Sequence, residues 1–413
     1  MLKDTLREIL LTQKKVLQNR NNGLLREALV DLPELKAHAL IVSGVRRCGK
    51  STLLFQLMKD KYPDAIYVNF EDPRLYEFDT VDFSRLDEVI SEMDSKVLFF
   101  DEIQIFKNWE KYIRFKLDEG YKLVITGSNA SLLSKELGTK LTGRHITKEL
   151  FPFSYSEFLL RKKYIPGKKS VEKYLTIGGF PEYISDHQDE MLQQLLEDIV
   201  IRDIVVRYGI RDVKILQRLA WYLISNVGKG VTANRVKSLF GVAANSTILE
   251  YFSYLENAYL IQFVPKFSYS HRKQLINPRK VYAIDPGLVQ ANSGSFTEDY
   301  GRKLENLVFL KLRRNWKEIY YFAEKGECDF LVFEKGKLVM AVQVCYHVDV
   351  YNQEREINGL VEALNYFSIT EGTIVTLDQE DTLKIDDKLI HLVPSYQWLQ
   401  NEKSMARKKY LKK

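Results

Sequence analysis

Gly44-Val45-Arg46-Arg47-Cys48-Gly49-Lys50-Ser51-Thr52 fits the spacing G-x-x-x-x-G-K-[ST] without a mismatch, and its residue types suit contact with a polyphosphate. Glycines at 44 and 49 allow a tight turn whose successive N–H groups surround phosphate oxygens, with Val45 to Cys48 supplying the backbone between them. A helix starting there adds its positive end. Lys50 can bridge the β- and γ-phosphates, and the Ser51 hydroxyl can ligate magnesium. Thr52 is set to cap the helix or pack near the phosphates. An apolar run at 39–43 enters the motif and residues 51–58 leave it with helical character, the strand–loop–helix context this chemistry needs. A second run, Val97-Leu98-Phe99-Phe100, delivers Asp101 and Glu102 at its C-terminal end, where open α/β sheets bind ligands. Asp101 would hold the magnesium shell and Glu102 would orient and deprotonate an attacking water. A glutamate directly after the aspartate points to hydrolysis rather than binding alone. ATP and Mg2+ are the expected ligands.

Other residues carry less specific signals. The run ending at Thr126 leads into Gly127-Ser128-Asn129, where Ser128 or Asn129 could contact the γ-phosphate or the attacking water; Gly-Ser-Asn is also ordinary turn chemistry. Arg144 could stabilise transition-state charge in its own site or a neighbouring subunit's, or be a solvated arginine before a strand. Arg46 and Arg47 face either a partner or water. Cys48 stands at a helix N-terminus, where a thiol pKa can fall, though a small filler role suits it better.

Short apolar runs at 38–43, 65–70, 96–100, 121–126 and 145–150 predict strands separated by helices. Runs apolar on both faces, alternating with helices, indicate a parallel sheet buried between helical layers. An amphipathic helix is expected at 2–17. Residues 154–209 read as a small helical lid, broken at Gly178-Gly179-Phe180-Pro181. Helices at 213–226, 232–239 and 246–257, then extended segments at 260–267 and 280–284, follow the order of a winged helix-turn-helix. Beyond 300 a helix at 303–315 precedes strand candidates at 319–323, 328–334 and 337–345. The expected organisation is 1–153 for the N-terminal helix and nucleotide core, 154–209 for the lid, 210–290 for the winged helix and 300–413 for a last α/β domain.

The 413 residues carry 61 Lys and Arg against 55 Asp and Glu, a net charge of +6. That excess permits nucleic-acid binding without demanding it. Residues 403–413 hold several of the surplus positives and read as a solvated tail or a phosphate-backbone contact. Cys48, Cys328 and Cys345 are too few and scattered for a disulfide framework or zinc site. No apolar run approaches membrane-spanning length, so a cytosolic setting without membrane contact is expected.

The chain resembles a widespread bacterial and archaeal family of AAA ATPases that join a P-loop core to a C-terminal domain of unassigned function. The resemblance rests on the 44–52 motif, Asn69-Phe70-Glu71-Asp72-Pro73, Asp101-Glu102-Ile103-Gln104, Thr126-Gly127-Ser128-Asn129 and Gly143-Arg144. It continues through 151–158, Gly178-Gly179-Phe180-Pro181-Glu182 and Arg202-Asp203-Ile204, covering nearly the whole chain in order. It implies a P-loop NTPase core of ASCE/AAA+ type with strand order 5-1-4-3-2, a helical lid, a winged helix and a C-terminal α/β fold like that of restriction endonucleases.

Members of such families often resemble PD-(D/E)xK nucleases at the C-terminus. Glu305 and Asp329 match the first two positions of that pattern, but Gln343-Val344-Cys345 stands where Glu-x-Lys should be. A neutral amide and a thiol cannot gather magnesium or position a nucleophile, so nuclease activity is not expected. The leading reading is an ATPase whose nucleotide state drives a conformational change passed to the winged helix and C-terminal domain. The alternative is an ATP-switched nucleic-acid-binding regulator, and a homo-oligomer or protein partner fits either. The candidate recognition helix at 246–256 is apolar and acidic, unlike a DNA-reading helix. Ser270-His271-Arg272-Lys273, between the extended segments, is the better DNA contact.

Overall fold

The computed structural model describes residues 1–106, 108–130, 141, 143–293 and 299–400; the basic 403–413 stretch lies outside them. The chain divides into two compact units, one of residues 1–151 with 257–259, the other of 152–256 with the chain from 260 on.

In the first unit, β1 (Ala39–Ser43), β2 (Ile66–Asn69), β3 (Val97–Asp101), β4 (Lys122–Gly127) and β5 (His145–Glu149) form one parallel sheet in the order β2-β3-β4-β1-β5. Read from the other edge this is 5-1-4-3-2, the order the resemblance implies. Around it stand α1 (Lys3–Gln18), α2 (Lys50–Lys61), α3 (Asp82–Ser91) and α4 (Trp109–Asp118). Ala39, Ile41, Val68, Leu98, Phe100 and Ile125 share a core with Leu6, Ile9 and Leu10 of α1, Phe83 and Leu86 of α3, and Trp109 and Ile113 of α4. The alternate residues Leu40, Val42, Phe99 and Val124 are equally buried, and α2 contacts β4. Burial on both faces is what made these strands read as continuous apolar runs.

The second unit begins with α5 (Tyr155–Lys162), α6 (Lys168–Ile177), α7 (Pro181–Asp186) and α8 (Asp189–Asp198), which runs into a π-helical stretch at Ile199–Val206. Two stretches that carry the family resemblance have local physical roles here. Ser154 and Glu157 form a reciprocal capping box at the start of α5, satisfying two otherwise orphaned backbone donors. Arg202 lies on the π-helical stretch and pairs with Asp198 at 3.4 Å.

Next come α9 (Val213–Ile224), β6 (Gly230–Val231), α10 (Ala233–Phe240), α11 (Asn245–Asn257), β7 (Ile261–Pro265), α12 (His271–Ile276), β8 (Arg279–Ala283) and α13 (Pro286–Asn292). β6, β8 and β7 pair antiparallel in that order. The segment between β7 and β8 is not extended throughout but holds a short helix. Ser270 caps the short α12, which carries His271, Arg272 and Lys273. Asp285 anchors this region by accepting from Gly179 N at 2.6 Å and Leu288 N at 3.0 Å, so it ties the break before α7 to the start of α13. Asp285→Ala removes a cap and leaves a buried N–H unpaired, and is expected to cost about 2–4 kcal/mol in chemical denaturation.

The chain ends in α14 (Tyr300–Asn315), β9 (Glu318–Ala323), β10 (Glu327–Glu334), β11 (Lys337–Val344), α15 (Gln353–Tyr366), β12 (Glu371–Thr376), β13 (Asp381–Ile385), β14 (Lys388–Pro394) and α16 (Ser395–Gln400). Its sheet runs β13-β14-β12-β11-β10-β9, antiparallel through β9–β11 and parallel from β11 through β12 to β14.

Candidate nucleotide site

β1 ends at Ser43, and the loop that follows leads straight into α2. Gly44 has no room for a side chain, since a Cβ there would lie 2.1 Å from the Leu150 carbonyl oxygen. Gly49 starts α2 at φ 98, in the left-handed region glycine favours. Val45 and Cys48 are fully buried, Arg47 is exposed with φ 63, and Ser51 and Thr52 are half-buried in the first turn of α2. Arg46 reaches Glu71 at 3.4 Å. Burial pushes the Cys48 thiol up despite nearby Lys50 and Arg26, which favours the filler role over a reactive thiol.

Lys50 is buried, with Nζ 3.1 Å from Gly44 O, 3.3 Å from Val45 O and 3.3 Å from Glu102 Oε1. Burial alone would lower its pKa, but Glu102 beside it carries the net shift upward. Glu102 mirrors this: burial would raise its carboxyl, and Lys50 with Gln104 brings it below the usual range. Its Oε2 accepts from Ser128 N at 3.2 Å, and Gln104 donates to it as well. The backbone at Glu102 is left-handed, φ 57, a strained geometry for a glutamate that the packing around it maintains.

Asp101 ends β3 fully buried, held by Thr126, by the Tyr67 hydroxyl at 2.7 Å and by Ser51. Burial and then Glu102 raise its pKa, a penalty on its charged form that a cation beside it would offset. Among the described residues no cluster of three metal-binding side chains exists. The Ser51 hydroxyl with Asp101 still fits magnesium, which takes few protein oxygens when phosphates and waters complete its shell.

Several participants had no obvious signal in the sequence. Buried Arg26 donates to Cys48 O at 2.7 Å and Phe151 O at 2.8 Å, bracing the loop from outside the motif. Glu71 is raised by burial and by Glu102 and Asp101, so it belongs to the same electrostatic neighbourhood; its place after Asn69-Phe70 was the available clue. Ser128 and Asn129 are buried directly after β4.

Of the alternatives for Arg144, the geometry disfavours its own chain's site. Arg144 precedes β5, its carbonyl accepts from Ala39 N at 3.1 Å and its guanidinium pairs with Asp118 at 2.6 Å. It therefore sits at the opening end of β1, whereas the loop leaves the closing end of that five-residue strand, about 16 Å away at the usual rise. The sheet carries Arg144 away from its own chain's phosphate loop.

The second unit gathers the remaining sequence candidates differently from a nuclease centre. Buried Lys280 of β8 places Nζ 3.1 Å from Glu305, 2.7 Å from Asp329 and 2.6 Å from Glu327. Gln343 bridges Asp329 N at 3.1 Å and Glu356 at 2.6 Å, while the Cys345 thiol turns to His347 O. The space between Glu305 and Asp329 holds an ammonium. On α11 the exposed residues include Leu249, Glu250 and Ser253, with no basic side chain among them.

Residues 36–159 match the AAA domain family, and residues 168–299 match a domain of unknown function, DUF8612. An uncharacterized protein of Methanocaldococcus jannaschii is 36% identical over 390 residues, covering 87% of this chain and 87% of its own. Another uncharacterized protein, from Haemophilus influenzae, is 31% identical over 341 residues, covering 76% of this chain and 84% of its own. Among solved structures, AMPPCP-bound DnaA from Aquifex aeolicus aligns at 15% identity and a TM-score of 0.29, covering 59% of this chain and 86% of that one; so remote a likeness bears no weight. No described helix is long and apolar enough to cross a membrane. With its phosphate-loop geometry and these two long alignments, the chain belongs to the family of AAA-domain proteins that the archaeal and bacterial relatives represent.

Proposed function

We propose that the chain binds ATP with magnesium and hydrolyses it at Lys50, Ser51, Asp101 and Glu102. The observation that carries this reading is the Lys50–Glu102 pair, 3.3 Å apart at the exit of the buried sheet and directly beside Asp101. The amides of residues 44–49 and the start of α2 receive the phosphates. Lys50 exchanges Glu102 for phosphate oxygens, which carry more charge. Losing that cation lets the Glu102 carboxyl rise from its depressed pKa, making it a better base toward water. Ser128 N–H keeps Glu102 oriented, and Asn129 stands next in the chain to meet the γ-phosphate or the water. Ser51 and Asp101 would hold magnesium, which supplies charge neutralisation at the β- and γ-phosphates. Arg144 is left with a neighbouring subunit's nucleotide or with solvent, where it pairs with Asp118. In the second unit, the order α9-β6-α10-α11-β7-β8 supports a winged-helix reading, and Lys280 between Glu305 and Asp329 supports a nuclease-like fold without strand cleavage.

The chain is expected to release phosphate from Mg·ATP. Lys50→Ala should reduce that rate about 10²–10³-fold, the scale of removing one preorganised donor from developing charge. Turnover by Lys50→Ala equal to that of the unaltered chain sinks the reading.

A further inference from the structure

Tyr259 puts a bulky side chain where a helix end favours glycine. α11 closes in a Schellman turn in which Leu260 N donates back to Leu255 O at 3.0 Å, and Tyr259 occupies the left-handed position of that turn at φ 60. An L-residue with a large side chain is strained there. What the strain holds in place is a hydroxyl. Tyr259 is buried, and its O–H donates to Ser43 Oγ at 2.9 Å; Ser43 Oγ, fully buried, donates in turn to the Asn129 carbonyl at 2.8 Å.

The far end of this relay adjoins the nucleotide site at two places. Ser43 is the last residue of β1, bonded covalently to Gly44 of the phosphate loop. Asn129 follows Ser128, whose N–H holds Glu102. Residues 257–259 group with the first unit, yet the rest of α11 before them and β7 after them belong to the second. A change at Ser43 or Asn129 therefore reaches α11 and β7 through three residues of main chain. Both hydrogen bonds are buried, so water cannot replace either one when the end of β1 shifts. The tyrosine has to follow or lose its bond to Ser43.

We propose that Tyr259 is the positioning residue that reads the nucleotide state from Ser43 and Asn129 and passes it to α11 and β7. The proposal rests on the ATP reading above. It gives the turn after α11 a task in the ATPase cycle and names the atom that performs it.

The test compares the unaltered full chain with Tyr259→Phe, which keeps the ring and the backbone strain and removes only the hydroxyl. Affinity is measured with a fluorescent mant-ATP, and hydrogen exchange of peptides spanning 245–265 is followed with ADP and with ATPγS. In the unaltered chain, exchange in this segment is expected to differ between the two nucleotides. In Tyr259→Phe that difference should vanish, with mant-ATP affinity unchanged and kcat lowered about 2–10-fold at constant KM, the effect of one buried hydrogen bond. Ser43→Ala removes both bonds, and the nucleotide-dependent difference in exchange should vanish in it as well, covering the case in which Tyr259→Phe folds poorly. Persistence of the nucleotide-dependent difference in either folded variant overturns the proposal. So does its absence from an unaltered chain that binds mant-ATP, and this outcome leaves the ATP reading intact. An unaltered chain that binds no mant-ATP overturns the ATP reading itself.

Discussion

Exchange of Glu102 for glutamine is expected to lower the rate of ATP hydrolysis about 10²–10⁴-fold while ATP still binds, the scale of losing a positioned general base. The amide keeps an oxygen for the Ser128 N–H, which lies 3.2 Å from Oε2 in the native protein. It cannot take a proton from water, and it cannot carry the charge that faces Lys50 at 3.3 Å. Among the described residues Lys50 then keeps the Gly44 and Val45 carbonyls as hydrogen-bond acceptors, and without the Glu102 charge it meets the phosphates with less competition. Binding should therefore be retained or tightened, the opposite of Lys50→Ala. Steady-state phosphate release and mant-ATP titration separate the two effects. A kcat within twofold of the unaltered chain would move the base elsewhere, with Glu71 the first candidate because burial and its acidic neighbours already raise its pKa.

Lys280→Met should cost the second unit about 3–5 kcal/mol, the range for stranding a buried charge by removing its partner. The ammonium lies within 3.1 Å of Glu305, Glu327 and Asp329, and two of these carboxylates are themselves almost fully buried. Burial and then Asp329 push Glu305 up, with Lys280 opposing them. Without the lysine, the folded-state pKa of Glu305 rises further above its unfolded value near 4. The folded variant then binds more protons than its unfolded chain above that pH, so stability falls as pH rises. The deficit of Lys280→Met should be smallest near pH 5 and largest by pH 8, followed by urea denaturation with a probe in the second unit. A deficit independent of pH would make the lysine a packing element only. Duplex DNA with Mg2+ or Mn2+ should remain intact with the unaltered chain; cleavage would show that Gln343 and Cys345 do not silence this centre.

The nucleotide core was legible because β1 to β4 are buried on both faces and its chemistry is contiguous. Most of the stretch from Gly44 to Thr52 is shaped by its own backbone and the strand it leaves, with Arg26 bracing it from outside the motif. The opening end of β5 was legible too, in principle: in a parallel sheet the residue before a strand lies opposite the loop after its neighbour, which removes Arg144 from its own site. The contacts of Arg26, Tyr259 and Lys280 were not legible. Arg26 meets Phe151 across 125 residues of sequence and Tyr259 meets Ser43 across 216, and no local pattern encodes such a meeting. Lys280 looked like one more basic residue in an extended segment until Asp329 closed on it from 49 residues away. α12 escaped notice because a six-residue helix is shorter than the periodicity needed to reveal it. In the C-terminal domain the alternating burial of β14, Lys388–Pro394, is an ordinary half-buried strand pattern, whereas its parallel pairing with β12 depends on partners sequence does not name.

The most direct test is isothermal calorimetry of ATP into the unaltered chain, with and without magnesium. The expected result is saturable binding of one nucleotide per chain, weakened when magnesium is withheld and abolished or strongly reduced in Lys50→Ala. Folded protein that takes up no ATP in either buffer would contradict the assignment of residues 44–52 and 101–102 to nucleotide chemistry.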